Sequence, residues 1–334
     1  MRGFKLHINF LSYLWDPYTH ESLKVEIVER VEDFIIEGFL FSNSNRYQII
    51  RGIPRFVRGE ESAYVNSFGY QWQKWPFIQF EGNNLGKPLE GHTSKMFEKI
   101  TSWQKEDLKN KCVADFGCGS GRFIDLISNA EGIAIGVELS AAVESAGARF
   151  AMNKNVLICQ ASVLNSPITA GSMDLAFSIG VLHHTPDPEA GVNEIFNVLR
   201  PGGSAAIAVY GKFGYYDQFF VRAYRKLFKL LWPIFRHYPP LVYSYLIVSL
   251  TRPFFHFKKL GAFFDPVLSY FPRIQLLDFR WSILDTFDSL TPSYQVGISH
   301  FELFQWMKKS GFSKISPENW GGTVLSAEKP QANF

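Results

Sequence analysis

Cysteine is scarce in this chain: only Cys112, Cys118 and Cys159 occur among 334 residues. All three fall on expected core strands or a glycine turn. Neither a disulfide framework nor a zinc site is therefore expected, and no metal is assigned. Long apolar runs are missing too. The longest, Leu241 to Leu250, is well short of the roughly 20 residues that span a bilayer. Near the start, Arg2 and Lys5 are followed by an apolar run broken by His7, Asn9, Ser12 and Tyr13, a poor secretory signal. These absences make a cytoplasmic protein the expectation. A strong charge of one sign is also lacking. The net charge is +3, so the chain as a whole has no nucleic-acid footprint, and nucleic acid is not expected as a partner.

Apolar residues make up 46% of the chain, with 32 phenylalanines, enough for a sizeable core without staples. The organising stretch is Val113-Ala114-Asp115-Phe116-Gly117-Cys118-Gly119-Ser120-Gly121-Arg122-Phe123. Its pattern is a buried strand, a tight turn and the start of a helix, whose free N–H groups face whatever sits above the turn. A second apolar strand, Ile133 to Val137, ends in Glu138. A carboxylate there, beside a glycine turn, suits two vicinal ribose hydroxyls, so a nucleoside is the expected ligand. Nicotinamide dinucleotide sites use Gly-x-Gly-x-x-Gly. Here the spacing is Gly-x-Gly-x-Gly, with an acid two residues before the first glycine.

That arrangement resembles motif one of the class I S-adenosylmethionine-dependent methyltransferases. The resemblance implies that Asp115, Gly117, Cys118, Gly119 and Gly121 hold the amino-acid end of S-adenosyl-L-methionine and that Glu138 holds its ribose. The stretch Met173 to Pro188 resembles motif four, and Leu199-Arg200-Pro201-Gly202-Gly203 the turn before strand five. Gly180 and Val181 would line the sulfonium. Where the family places an aspartate for the adenine amino group, this chain has Ser162, so adenine recognition leans on Leu139 and Val163. A Phe68-Gly69-Tyr70-Gln71-Trp72 segment matches one that folds over the cleft in the family, with Tyr70 or Gln71 closing on the methionine end. A proton acceptor, if the chemistry uses one, is expected at His183 or His184, then Tyr210. The alternative for the histidine pair is a structural wedge under its loop. Asp187, before Pro188, suits a helix N-cap.

Alternating strands and helices from 111 to 210 predict a doubly wound, Rossmann-like α/β sheet of seven strands in the order 3-2-1-4-5-7-6. Residues 111–210 are the cofactor core, and 298–334 complete it with a helix and hairpin. Residues 1–58 read as a small β-rich domain resembling the zinc ribbon that precedes many bacterial methyltransferases. The paired cysteines expected near Asp16 to Thr19 and Leu40 to Asn45 are absent. Residues 59–110 form an aromatic arm. Residues 211–297 are a helical insertion after strand five, read as a lid with its apolar face over the acceptor cleft. From Lys212 to Trp281 eleven basic residues stand against three aspartates, a local excess of +8. That excess suits an acidic or lipid-linked acceptor, or peripheral contact with an anionic membrane. Asp288, Tyr294 and His300 are placed to reach the acceptor pocket or to act as caps and anchors. The expected activity is O- or N-methylation of a small molecule in a biosynthetic pathway. A non-catalytic methyltransferase-like scaffold and a nicotinamide-dependent oxidoreductase are the alternatives.

Overall fold

The structure, a computed structural model, describes residues 5–58 and 66–331. Arg2 and the head of the expected aromatic arm, 59–65, lie outside the described residues. The chain opens with strands β1 (Leu6–His7), β2 (Lys24–Val31), β3 (Phe34–Phe41), β4 (Arg46–Ile50) and β5 (Ile53–Arg55). Helices α1 (Asn66–Lys74), α2 (His92–Thr101) and α3 (Lys105–Leu108) follow. The alternating core runs β6 (Cys112–Phe116), α4 (Arg122–Asn129), β7 (Ile133–Glu138), α5 (Val143–Arg149), β8 (Val156–Gln160), β9 (Met173–Ile179), α6 (Pro188–Val198) and β10 (Leu199–Val209). Beyond it come α7 (Phe219–Phe235), α8 (Tyr238–His256), α9 (Lys258–Leu268), α10 (Phe279–Leu290), α11 (His300–Ser310), β11 (Ser313–Pro317) and β12 (Thr323–Glu328).

The sheet differs from the seven strands expected. Among the described residues it has twelve, in the order β1-β3-β4-β5-β8-β7-β6-β9-β10-β12-β11, with β2 on β3. The core stretch from β8 to β11, renumbered from β6, reads 3-2-1-4-5-7-6, but the sheet as a whole is longer and ordered otherwise. The extension comes from the N-terminal strands, which are continuous with the core. Arg55 pairs with Gln160, joining β5 to β8 in parallel, and Phe56 N donates to Gln160 O at 2.8 Å. Side chains reinforce the join, since Arg55 donates to Gln160 at 2.9 Å and pairs with Glu144 at 2.7 Å.

Both faces of the parallel strands are buried, which is why they read as nearly continuous apolar runs. Alternate residues serve two cores. Ala114, Phe116, Ile135 and Val137 pack with the N-terminal strands and α6. Val113, Ala134, Ile158 and Phe177 face α2, α4 and α5. Each fully buried Ile or Phe contributes about 1.5–3 kcal/mol.

No group of metal-ligand residues occurs among the described residues. The two N-terminal loops where a ribbon would carry cysteines are held instead by one carboxylate. Asp16, fully buried, accepts from Ser42 Oγ (2.6 Å), Asn45 Nδ2 (2.7 Å), Tyr47 Oη (2.9 Å) and Tyr18 N (2.9 Å). Burial alone would raise its pKa. These hydrogen bonds outweigh burial and hold the carboxyl below the usual range.

After β10, α10 is the helix that faces the cleft, with Trp281, Asp285 and Asp288 on its inner side. The expected lid is more layered than one apolar face over the cleft. In α7, Val221 and Phe228 pack on Leu290 and Tyr243, while Leu230 and Ile234 are exposed. No helix among the described residues is long and apolar enough to cross a membrane.

Candidate active site

At the carboxyl ends of β6, β7, β9 and β10 lies a cavity of about 830 Å³. Its floor is the glycine turn. Gly117 N and Cys118 N both donate to Val137 O, at 2.7 and 3.2 Å, which folds the turn back onto β7. Gly117 has φ +92°, and a Cβ there would meet Val181 Cγ2 at 2.3 Å, so only glycine fits beneath that side chain. Gly180 has φ +77° with nothing within 4 Å of a Cβ position, leaving open space beside the turn.

Glu138 is fixed from behind. Its Oε2 accepts from Gly119 N at 3.0 Å and its Oε1 from Ser140 N at 2.8 Å, which leaves lone pairs for a ligand in the cavity it lines. Asp115, at the end of β6, is 1% exposed and its Oδ2 has no partner. Burial raises its pKa well above the ordinary value, countered by Arg122 and reinforced by Glu138. Burial likewise raises the Cys118 thiol, consistent with a packing role. Gly121 starts α4, and Leu139 and Val163 line the cavity. Ser162 does not line it. Its Oγ accepts from Leu164 N at 3.2 Å within its own turn. Tyr70 is also turned away, its ring stacked on His237 at 3.6 Å, whereas Gln71 lines the cavity.

The three proton-acceptor candidates separate. His183 is fully buried behind the wall, its Nδ1 accepting from Tyr210 N at 3.4 Å. Burial, with His184 and Arg225 nearby, pushes its pKa well down. His184 lines the cavity. Its Nδ1 lies 2.9 Å from Tyr294 O, and a carbonyl only accepts, so Nδ1 carries the proton and Nε2 presents a lone pair. Burial lowers His184 to about 4, so the ring is neutral near pH 7. Tyr210 lines the cavity and stacks on Tyr216 at 3.8 Å, and burial raises its hydroxyl pKa. Asp187 caps α6 by accepting from Ala190 N at 3.1 Å, with Pro188 at the first helical position.

The cavity also holds residues that pattern reading passed over. Arg122, Trp72, Tyr216, Trp281 and Asp285 all line the cavity, as does Asp288, which had been noted. Tyr210 Oη donates to Asp288 Oδ2 at 3.4 Å. The missed signal is the spacing in Ile283-Leu284-Asp285-Thr286-Phe287-Asp288, two acids three apart on a mostly buried helix.

A nucleoside carrying an amino-acid tail fits these residues. Glu138 offers two fixed acceptor oxygens and Gly180 an open approach, while Asp115 lies buried behind the turn, outside the cavity lining.

A family model described as a methyltransferase domain matches residues 114–207. The tRNA (carboxymethyluridine(34)-5-O)-methyltransferase of Macaca fascicularis is 34% identical over 130 residues, 36% of this chain and 18% of that protein. The ubiquinone biosynthesis O-methyltransferase of Cupriavidus pinatubonensis is 29% identical over 107 residues, 30% of this chain and 42% of that protein. The chain thus spans well under half of each. An S-adenosylmethionine-dependent methyltransferase structure from Mesorhizobium loti superposes with a TM-score of 0.42 at 14% identity, covering 71% of this chain and 97% of that one. One expectation is overturned: with curated relatives named as tRNA methyltransferases, nucleic acid cannot be set aside as a partner on net charge alone. Residues 114–207 match a methyltransferase domain, a similarity that supports S-adenosylmethionine as the cofactor.

Proposed function

We propose that the whole chain is a methyltransferase that moves the methyl group of S-adenosylmethionine to an acceptor held beneath α10. The cofactor supplies an electrophilic methyl carbon on a sulfonium. The chain's own residues hold and orient. Glu138 grips the ribose hydroxyls, the Gly117–Gly121 turn, with Asp115 behind it, faces the amino-acid end, and Leu139 and Val163 flank the base. The open space at Gly180, next to Val181, leaves room for the reacting centre, and α1 and α10 keep water out. Positioning of this kind offsets about 7–11 kcal/mol of a displacement barrier. The observation that carries the reading is Glu138, pinned by Gly119 N and Ser140 N at the mouth of the glycine turn.

For the acceptor, two readings have support. An 830 Å³ cavity roofed by a helix favours O- or N-methylation of a small molecule. The names of the tRNA-modifying relatives and the +8 excess on the insertion favour a nucleotide within tRNA. S-Adenosylmethionine labelled in its methyl group, incubated with separate tRNA and small-molecule fractions of a cell extract, tests both. Label is expected in one fraction and lost with Glu138→Ala. Tight binding of the cofactor with no transfer to any fraction contradicts catalysis and leaves a binding scaffold.

A further inference from the structure

The wall opposite the glycine turn is acidic. Asp285 and Asp288 are one helical turn apart on the inner face of α10, enclosed by protein yet lining the cavity. Tyr210 Oη donates to Asp288 Oδ2 at 3.4 Å. The Gln71 side chain also donates to Asp288, and its Oε1, on a residue 2% exposed, has no partner. His184, 5% exposed, lines the same cavity, and its unprotonated Nε2 too has no partner. Two orphaned acceptors beside two carboxylates call for a ligand that brings its own protons.

Resting on the methyltransferase reading above, we propose that Asp285 and Asp288 form the acceptor subsite, which takes a proton-bearing hydroxyl or amine, removes its proton and excludes a carboxylate. As the acceptor lone pair forms the bond to the methyl carbon, the C–S bonding pair stays on sulfur. The proton on the acceptor's oxygen or nitrogen passes to a carboxylate oxygen of the pair. Positive charge leaves sulfur and develops on the acceptor atom, next to two acids, so the pair stabilises the transition state more than the ground state. An acceptor that is itself a carboxylate meets repulsion at the same place.

Every charged or titratable group facing the pair bears on its protonation. These are Arg122 and Cys118 from the glycine-turn side, Glu138 and His184 across the cavity, His92 from α2, Lys212, Tyr210, Tyr215 and Tyr216 after β10, His300 from α11, and Arg225 from α7. Burial raises Asp285 to about 7, with Asp288 adding and Arg122 opposing. Burial raises Asp288 to about 6, against hydrogen bonds from Gln71 and Tyr210 and the two arginines. A base poised there matches neutral pH better than His184 at about 4.

The test uses the extract fraction that takes up label. Methyl esters release volatile methanol in dilute alkali, whereas N-methyl groups and methyl ethers keep their label. Label that survives alkali is expected; label lost as methanol overturns the proposal. In wild type, the rate is expected to climb through pH 6–7, with apparent values that belong to the pair. Asp285→Asn is expected to cut transfer about 10²-fold or more and to abolish that acid limb. S-Adenosylhomocysteine binding by calorimetry should stay within about twofold, and this measures folding and cofactor retention separately. Asp288→Asn should behave alike. If both variants lose rate with an unchanged pH profile, or lose transfer and ligand binding together, the pair is structural and the proposal falls. If wild type neither binds the cofactor nor transfers label, the methyltransferase reading itself fails. The variants alone report on the pair.

Discussion

Glu138 shows how backbone groups can fix one carboxylate at the edge of a cavity. Its carboxylate takes two backbone N–H groups from the turns on either side, so its orientation is set before any ligand arrives. Charge-assisted hydrogen bonds of this kind contribute about 1.5–3 kcal/mol each. Glu138→Ala is therefore expected to weaken S-adenosylmethionine binding by at least tenfold in a calorimetric titration, with the turn loosened as well. Gly117→Ala tests the turn directly, because a Cβ at 2.3 Å from Val181 cannot be relieved by the far end of a flexible chain. Loss of binding with a lowered Tm is expected. Asp285 carries a cost of the opposite kind. A carboxyl raised from about 3.9 unfolded to about 7 folded contributes stability below the lower value. That contribution is lost as pH rises through the higher one. Free Asp285→Asn protein should thus be more stable than wild type above pH 7, and the two should converge near pH 4, as denaturant titrations at several pH values would show.

Elements differ in how far the sequence announced them. The glycine turn, the flanking strands and the α6 cap were legible because local chemistry dictates each: alternate glycines, an acid at a strand end, Asp-Pro before a helix. The continuity of β1–β5 with the core was not legible. It depends on Arg55 meeting Gln160, a pairing 105 residues apart that no local pattern encodes. The two N-terminal loops were recognisable only as places where cysteines were missing. The structure shows Asp16 joining them through five groups, Ser42, Asn45, Tyr47, Tyr18 and Thr19. Asp16→Ala is expected to destabilise the protein by about 2–4 kcal/mol, since it strands several buried donors. The Asp16 pKa is depressed by folding, so its contribution is present above the unfolded value of about 3.9 and is lost as pH falls below it. Wild type and variant should converge in acid, as chemical denaturation would record.

At the scale of the whole molecule, the cleft draws on every layer: strands for the floor, α1 for Gln71, the loop after β9 for His184, and α10 for the acids. That is why Arg122 and Asp285, 163 residues apart, were invisible as a pair. The sequence marks residues 211–297 as a helical insertion but does not say which wall of which cavity α10 completes. The net charge of +3 similarly hides the basic excess of the insertion, so the total alone does not set nucleic acid aside as a partner. The account rests on one ligand class. Calorimetry of the full chain against S-adenosylmethionine and against NAD, in wild type and Glu138→Ala, tests it most directly. One equivalent of S-adenosylmethionine bound by wild type, weakened at least tenfold in the variant, with no heat from NAD, is the predicted result. Tight binding of NAD, or a folded wild type that ignores S-adenosylmethionine, would contradict it.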